Sequence, residues 1–290
     1  AGVGTAVKGE VKLSGEAPIG TPGATFTLTL NIDEKPVGSV QMRKDNLHSP
    51  LPADVTAALL KALAKRSVIE FAHDADRWRL SDQGVAAVLL KMDEFQGRIG
   101  TPGALLRKGG QSEDTVRPPL PVPVLFKAAL PKPQPQDASY IARHHVALRK
   151  ALIKSLPKPG DCDMLDPIDP EYAANPELQL KATRLSSQLM EVSALCWRGT
   201  KNHGYGVWVV NDHPPFNPRW VTDIGSNIGT GSLSNTMFGH GCASNGTDEW
   251  EWDGRRYVHT QSATDGLCLS RKSPDLSWHL PTLVTNVKPA

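Results

Sequence analysis

Hydrophobic and polar residues alternate along residues 25–32 (TFTLTLNI) and again along 37–42 (VGSVQM), with the turn-forming letters DEKP between them. A period of two is typical of β-strands, so the two segments are predicted to form a hairpin. In residues 55–66 the apolar positions follow a helical period instead. They form one stripe: Val55, Leu59, Ala62 and Leu63. The sequence therefore predicts a strand-strand-helix unit.

The same order of elements recurs in the next segment of the chain. Residues 68–72 and 77–81 are predicted strands that flank the turn HDAD, and a second helix follows with Ser81 as its N-cap and Gly97 near its end. We expect four residues of this helix to face inward: Val85, Val88, Leu89 and Met92. Five letters match at an offset of 30 between the helices: 55/85, 57/87, 59/89, 60/90 and 61/91. Duplication and convergence of helix-favouring letters both explain this match.

A proline-rich segment spans residues 110–136. Because proline neither donates to a β-ladder nor continues a helix, the segment is predicted to be an extended, semi-rigid connector. A proline-rich ligand for an aromatic groove of a partner is the alternative. The sequence thus predicts a strand-strand-helix repeat domain over residues 1–109, a linker over 110–136, and a second domain over 137–290.

The second domain begins with a predicted helix at residues 139–156. Its apolar stripe contains a histidine, which we interpret as a semi-buried, hydrogen-bonded side chain: Ile141, His145, Leu148 and Leu152. Strand patterns follow at 187–197, 205–212, 218–223 and 232–238. Residues 205–212 (YGVWVVND) are apolar on both alternating faces, which indicates a central strand covered on both sides. The prediction is an α+β protein whose C-terminal domain is an antiparallel sheet with a packed helix.

The stretch DEWEWDGRRY (248–257) predicts a hairpin closed by a two-residue Asp-Gly loop of type I′. In that register Trp250 lies opposite Tyr257, Trp252 opposite Arg255, and Glu251 opposite Arg256. One face then collects Trp250, Trp252 and Tyr257. Burial in a core is the favoured interpretation of these rings, and the alternative is an exposed platform that stacks on sugars. Trp250, Trp252, Tyr257 and Arg255 are the possible binding residues.

All four cysteines lie in the second half of the chain, without CxxC or zinc-ligand spacing: Cys162, Cys196, Cys242 and Cys268. An even number without metal spacing favours two disulfides, and hence an oxidising compartment. Because Cys242 and Cys268 flank the predicted hairpin, we expect them to pair, which leaves Cys162 to pair with Cys196. The first residue is Ala1, so we expect that an export signal has been removed.

The overall charge is nearly balanced, with 32 basic and 30 acidic residues, and this disfavours nucleic acid as a partner. No stretch of about 18 apolar residues exists, so no membrane-spanning helix is predicted. The acidic loop at 160–171 is a weak calcium candidate because it lacks EF-hand order. Its possible ligands are Asp161, Asp163, Asp166 and Asp169. We expect no cofactor and no other metal site.

No recognisable catalytic motif is present, so the sequence favours a binding protein over an enzyme. A hydrolase with an unrecognised site is nevertheless a third hypothesis, because one domain holds several histidines together with acidic residues. Those residues are His203, His213, His240, His259, Asp248 and Asp253.

Four ordered blocks of sequence resemble one family. They are residues 79–109, 193–210 (SALCWRGTKNHGYGVWVV), 240–258 (HGCASNGTDEWEWDGRRYV) and 265–268 (DGLC). Together they are similar to the exported bacterial proteins of the domain of unknown function 1176 family. The first domain is also similar, more weakly, to invasion-associated locus B proteins. The resemblance implies a periplasmic protein of Gram-negative bacteria with paired cysteines in its second half.

These observations lead to a ranked set of functions. The leading hypothesis is a non-enzymatic periplasmic protein that recognises another envelope macromolecule, as an inhibitor or a scaffold. The second is a module that binds the cell wall or carbohydrate through the aromatic hairpin. An envelope protein or a peptidoglycan component is the expected partner.

Overall fold

A computed structural model describes residues 7–13, 23–165, 179–229, 231–238, 246–264 and 280–289. Contacts divide the chain into two compact units, residues 1–121 and 122–290. Among the described residues, no helix is long and apolar enough to cross a bilayer. The described elements are three α-helices and mainly antiparallel strands, which agrees with an α+β composition.

The first unit contains β1 (Glu10–Lys12), β2 (Thr25–Ile32), β3 (Lys35–Arg43), β4 (His48–Pro50), α1 (Ala53–Leu63), β5 (Ile69–His73), β6 (Asp76–Leu80) and α2 (Val85–Gln96). The two predicted hairpins, β2–β3 and β5–β6, are confirmed and pair side by side in the order β3-β2-β5-β6. Helix α1 buries Val55 against this sheet, next to Leu28, Leu30 and Ile69. The strand-strand-helix order therefore occurs twice, with the short β4 before α1.

The predicted inward face of α2 was wrong in part. Leu89 is buried, but Val88 is 60% exposed and Met92 is 44% exposed. The helix is instead fixed by Asp93, whose buried carboxylate accepts hydrogen bonds from the backbone N–H groups of Leu105 and Leu106, at 2.8–3.0 Å. A buried carboxylate needs such donors, so the polar residue, rather than the apolar stripe, determines which side of α2 is covered.

The N-terminal end of α2 also differs from the prediction. Its N-cap is Gly84 in the left-handed region, with φ 77°, and not Ser81. The Ser81 hydroxyl instead accepts a hydrogen bond from the Gln83 N–H, within the turn that precedes the helix. The predicted end is confirmed, because Gly97 is the C-cap with φ 71°.

The second unit contains β7 (Val124–Lys127), α3 (Tyr140–Lys154), β8 (Lys181–Arg184), β9 (Leu189–Arg198), β10 (His203–Asn211), β11 (Arg219–Gly225), β12 (Asn227–Gly229), β13 (Ser232–Met237), β14 (Gly246–Trp252), β15 (Tyr257–Thr264), β16 (Leu280–Leu283) and β17 (Asn286–Pro289). Two antiparallel sheets form, with orders β11-β10-β9-β8 and β12-β13-β14-β15-β16, where the sequence predicted one. A third, two-stranded sheet pairs β7 with β17 in parallel.

Strand β10 is central, as predicted, and its two faces lie in different cores. Trp208 and Val210 pack with α3, in a core that also holds Leu148 and Leu152. Val207 and Val209 point the other way and pack with side chains of the second sheet. The four-stranded sheet is therefore a middle layer, between α3 and the five-stranded sheet.

Helix α3 follows the predicted stripe, since Leu148 and Leu152 are fully buried and Ile141 and His145 are partly buried. The start of α3 is held by a buried ion network. Arg184 reaches Asp137 at 2.6 Å and Asp212 at 3.1 Å. Hydrogen bonding from Arg184 lowers the pKa of Asp137. The network ties the segment before α3 to β8 and to the end of β10.

Most residues of the segment 110–136 are exposed, but the segment is anchored at several points. In the first unit, the Arg117 N–H donates to the Gln96 carbonyl and Val116 is buried. In the second unit, β7 pairs with β17, and Ala128 and Leu130 pack on the core beneath the aromatic hairpin. No α-helix lies within residues 110–136, and β7 forms in the short proline-free run Val124–Lys127.

The predicted disulfide between Cys162 and Cys196 is confirmed. Cys196 lies on β9 within the core under α3, and Cys162 follows that helix. The bond therefore fastens the chain after α3 to the sheet beneath it. Cys242 and Cys268 lie outside the described residues, so their pairing stays a prediction.

Replacing both Cys162 and Cys196 with serine is expected to destabilise the second unit by about 4 kcal/mol, because the bond closes a loop between residues 34 apart in sequence. Urea unfolding followed by tryptophan fluorescence measures the change. Replacing Cys242 and Cys268 in the same way is the companion variant, and peptide mapping without reduction tests whether those two are joined. An unchanged unfolding midpoint in the Cys162/Cys196 variant would contradict the stabilising role.

Candidate functional site

The aromatic hairpin has a different register from the predicted one. Trp252 pairs with Tyr257 and Trp250 with His259, so the loop contains four residues, 253–256. The Asp253 carboxylate accepts hydrogen bonds from the N–H groups of Arg255 and Arg256, at 2.7 and 2.8 Å. This side-chain cap closes a wider loop than the type I′ turn, and Gly254 supplies the positive φ of 96°.

The three aromatic residues share one face despite the altered register. Trp250, Trp252 and Tyr257 all lie in the core between the two sheets, with Leu233, Val207 and Val209. Trp252 is only 1% exposed. The interpretation of these rings as core residues is therefore confirmed.

The predicted pair of Glu251 with Arg256 was wrong. Glu251 contacts Lys127 of β7 at 3.0 Å and accepts a hydrogen bond from the Ser232 hydroxyl at 2.7 Å. Arg256 makes a long contact with Asp253, at 4.0 Å, and its side chain is 77% exposed. The four-residue loop explains both differences, because Val258 rather than Arg256 lies opposite Glu251.

A cleft of about 270 Å³ opens between β11 and the aromatic hairpin. Strands β10 and β11 contribute its first wall, and β14, the hairpin loop and β15 contribute the second. The lining residues are Val209, Arg219, Trp220, Val221, Trp250, Arg256, Tyr257 and His259. The cleft thus combines an apolar and aromatic interior with three basic side chains.

Two ring contacts fix side chains around the cleft. His259 stacks on Trp250 with ring centroids 4.7 Å apart, and its Nε2 lies 2.9 Å from the Asp248 carboxylate. The indole of Trp220 packs edge-on against Trp208, at 4.9 Å, and so belongs mainly to the core under α3. Trp250, Tyr257 and His259 are therefore the rings that shape the cleft itself.

A buried acid lies beneath the cleft. The Tyr257 hydroxyl donates a hydrogen bond to the carboxylate of Glu191 on β9, and both residues are buried. Burial raises the pKa of Glu191, although the hydrogen bond from Tyr257 opposes the rise. Burial and the neighbouring Glu191 also raise the pKa of Tyr257. The contact joins the four-stranded sheet to the hairpin.

The predicted binding residues are only partly brought together. Trp250 and Tyr257 line the cleft, whereas Trp252 is enclosed in the core and the exposed Arg255 does not line the cleft. Arg219, Arg256 and His259 were not predicted as binding residues. Nothing in the sequence indicated that Arg219 lies at the cleft. This residue is distant in sequence from the aromatic hairpin and reaches the cleft only through the pairing of β10 with β11. Glu191 did carry a signal, as the single acid within the apolar run LMEVSAL.

The remaining candidate chemistry is dispersed. The Asp161 carboxylate accepts a hydrogen bond from the Lys158 N–H, and Asp163 begins a short 3₁₀-helix. Asp166, Asp169 and His240 lie outside the described residues. Within the described part of the chain, no group of three or more potential metal ligands occurs. His213 contacts Asp212, and His203 packs against Tyr205, both far along the sequence from the cleft histidine.

The sequence matches the family described as Protein of unknown function (DUF1176) over residues 1–285. The chain belongs to this family. No curated protein and no solved structure matches it. The weaker likeness to invasion-associated locus B proteins is not shown by these comparisons. The match covers residues of both units, including those that line the cleft.

Tyr257→Phe is expected to lower the free energy of unfolding by about 1–3 kcal/mol, because it removes the hydroxyl that donates to the buried Glu191 carboxylate. Tyr205→Phe is the matched control, since Tyr205 is partly buried on β10. Urea unfolding at neutral pH measures both. Equal losses of unfolding free energy in the two variants would show that the hydrogen bond to Glu191 contributes no extra stability.

Glu191 is also expected to make stability depend on pH. Folding raises the pKa of Glu191, so the folded state is favoured when this carboxyl is protonated. The resulting stability is complete below the unfolded pKa of about 4.3 and is lost as the pH rises through the folded pKa. Glu191→Gln does not titrate and should not show this loss. Unfolding curves recorded across pH 4 to 8 for both proteins give the comparison. Parallel pH profiles would refute a raised pKa at Glu191.

Proposed function

We propose that the protein is a non-enzymatic protein of the bacterial periplasm that recognises another envelope macromolecule through the cleft between β11 and the aromatic hairpin. The Cys162–Cys196 disulfide supports an oxidising compartment, because such bonds persist outside the reducing cytosol. An inhibitor or a scaffold is the type of activity that fits this proposal.

The composition of the cleft carries the proposal. Arg219 and Arg256 come from opposite walls, and both are exposed at the surface. Exposed cationic side chains beside buried aromatic rings are typical of recognition surfaces, where arginine and tyrosine are enriched. Rigid elements hold the walls, since β10 is buried on both faces and the hairpin is fixed by Glu191.

The other two functions receive less support. A sugar-stacking platform needs exposed aromatic faces, whereas Trp252 is enclosed and Trp250 is covered by His259. The paired His259 and Asp248 resemble part of a hydrolytic site. Hydrolysis by covalent catalysis also needs an activated nucleophile beside the histidine, and no hydrogen bond of His259 to a serine, threonine or cysteine is observed in the described residues.

Charge reversal in the cleft tests the proposal. Arg219→Glu with Arg256→Glu is expected to reduce recovery of the partner about tenfold or more, which corresponds to about 1.4 kcal/mol of binding free energy. Chemical cross-linking in periplasmic extract with quantitative mass spectrometry measures recovery.

The control is Arg66→Glu with Arg107→Glu, which changes the net charge equally at exposed positions of the first unit. A partner that is recovered equally by the two variants does not use the cleft. Fractionation of cells tests the location independently, and a protein found only in the cytoplasm would contradict it.

A further inference from the structure

The interior of the cleft is unusual in what it lacks. Among the described residues that line it, none is an aspartate, glutamate, asparagine or glutamine. The Tyr257 hydroxyl is already engaged with Glu191, and the Nε2 atom of His259 with Asp248. The lining therefore offers cationic donors and apolar surface, but few hydrogen-bond acceptors.

This donor-rich lining discriminates between classes of ligand. Sugar hydroxyls donate hydrogen bonds as well as accept them, so a buried saccharide needs acceptors around it. An anionic group needs only donors, and guanidinium groups bind carboxylates through paired N–H groups. The cleft consequently favours an anion attached to an apolar body.

The positions of Arg219 and Arg256 indicate where such an anion would bind. Arg219 is on β11, opposite Val209 of β10, and Arg256 is in the hairpin loop next to Tyr257. The apolar side chains of Val209 and Val221 belong to the core between the sheets. Both arginines are exposed, and among the described residues the Arg256 side chain has only a long contact with Asp253, at 4.0 Å, so both side chains are open to a ligand above the apolar surface.

The size of the cleft limits the apolar body. About 270 Å³ lies just under the range of roughly 300–1,000 Å³ that drug-sized ligands occupy. A single apolar side chain fits within this space, whereas an oligosaccharide would extend well beyond it. Strand β11 is also the edge of its sheet, so a polypeptide approaching along that edge meets no further strand of the four-stranded sheet in the described residues.

We propose that the cleft binds the carboxyl-terminal residue of a partner polypeptide. Arg219 and Arg256 hold the terminal carboxylate, and an apolar last side chain rests on Val209, Val221, Trp250 and Tyr257. This inference depends on the proposed function, since it names the chemical class recognised by the same cleft.

Binding of short synthetic peptides that end in leucine tests the inference, measured by isothermal titration calorimetry on the full chain. The peptide with a free carboxylate is expected to bind at least about tenfold more tightly than the same peptide with an amidated terminus. Replacing the terminal leucine with serine should weaken binding by a similar factor, because a serine side chain buries little apolar surface.

Arg256→Ala and Arg219→Ala are each expected to lose about tenfold or more in affinity for the free-acid peptide. Arg255→Ala is the matched control, because Arg255 is the neighbouring exposed arginine of the same loop and does not line the cleft. The affinity of Arg255→Ala for the free-acid peptide should equal that of the unmodified protein. Equal losses in Arg255→Ala and Arg256→Ala would indicate general charge attraction and would overturn the inference.

Other results separate this inference from the proposed function. Equal binding of free-acid and amidated peptides, or tighter binding of a uronic acid monosaccharide than of any peptide, overturns the terminal-carboxylate inference. If peptides fail but the cross-linked partner is still lost on reversing Arg219 and Arg256, the inference fails and the proposed function stands. If the partner also ignores that reversal, both fail.

Discussion

The second unit depends on one constraint, which is that β10 is apolar on both faces and must be covered from both sides. Residues 207–210 alternate between two cores, and each core demands its own cover. Burial of large side chains contributes about 1.5–3 kcal/mol each, so neither face can be left in water without a large cost to stability. Helix α3 covers one face, and the five-stranded sheet covers the other.

This arrangement gives Glu191 an uncommon setting. It lies on β9, on the face that meets the second sheet, where a carboxylate is normally excluded. Tyr257 supplies its hydrogen bond from the opposite sheet, so one polar contact fixes how the hairpin sits over the middle layer. The position of Tyr257, and with it one wall of the cleft, follows from that contact.

The periodicity of the sequence predicted many of the helices and strands, but it predicted less well which residues pair or pack together. Alternation identified β2 and the aromatic strands, whereas mostly apolar runs identified β9 and β10, because a half-buried strand repeats every two residues and a strand buried on both faces does not. The hairpin register failed because the Asp253 side chain caps two N–H groups, which period and turn propensity do not reveal. The exposed side of α2 was missed because its anchor is the charged Asp93. Only part of the cleft could be predicted, since Arg219 and Arg256 come from distant segments that line the same cleft only once the sheets have packed.

The sulfur bridge between Cys162 and Cys196 also changes how backbone cleavage would be seen. A protease that cuts once anywhere between these two positions produces two fragments that stay covalently joined. Helix α3 would remain attached to β9 through the bridge, and gel electrophoresis without a thiol reductant would show a single band of undiminished mass. Preparations of this chain are therefore better checked for nicks after reduction, where the break becomes visible.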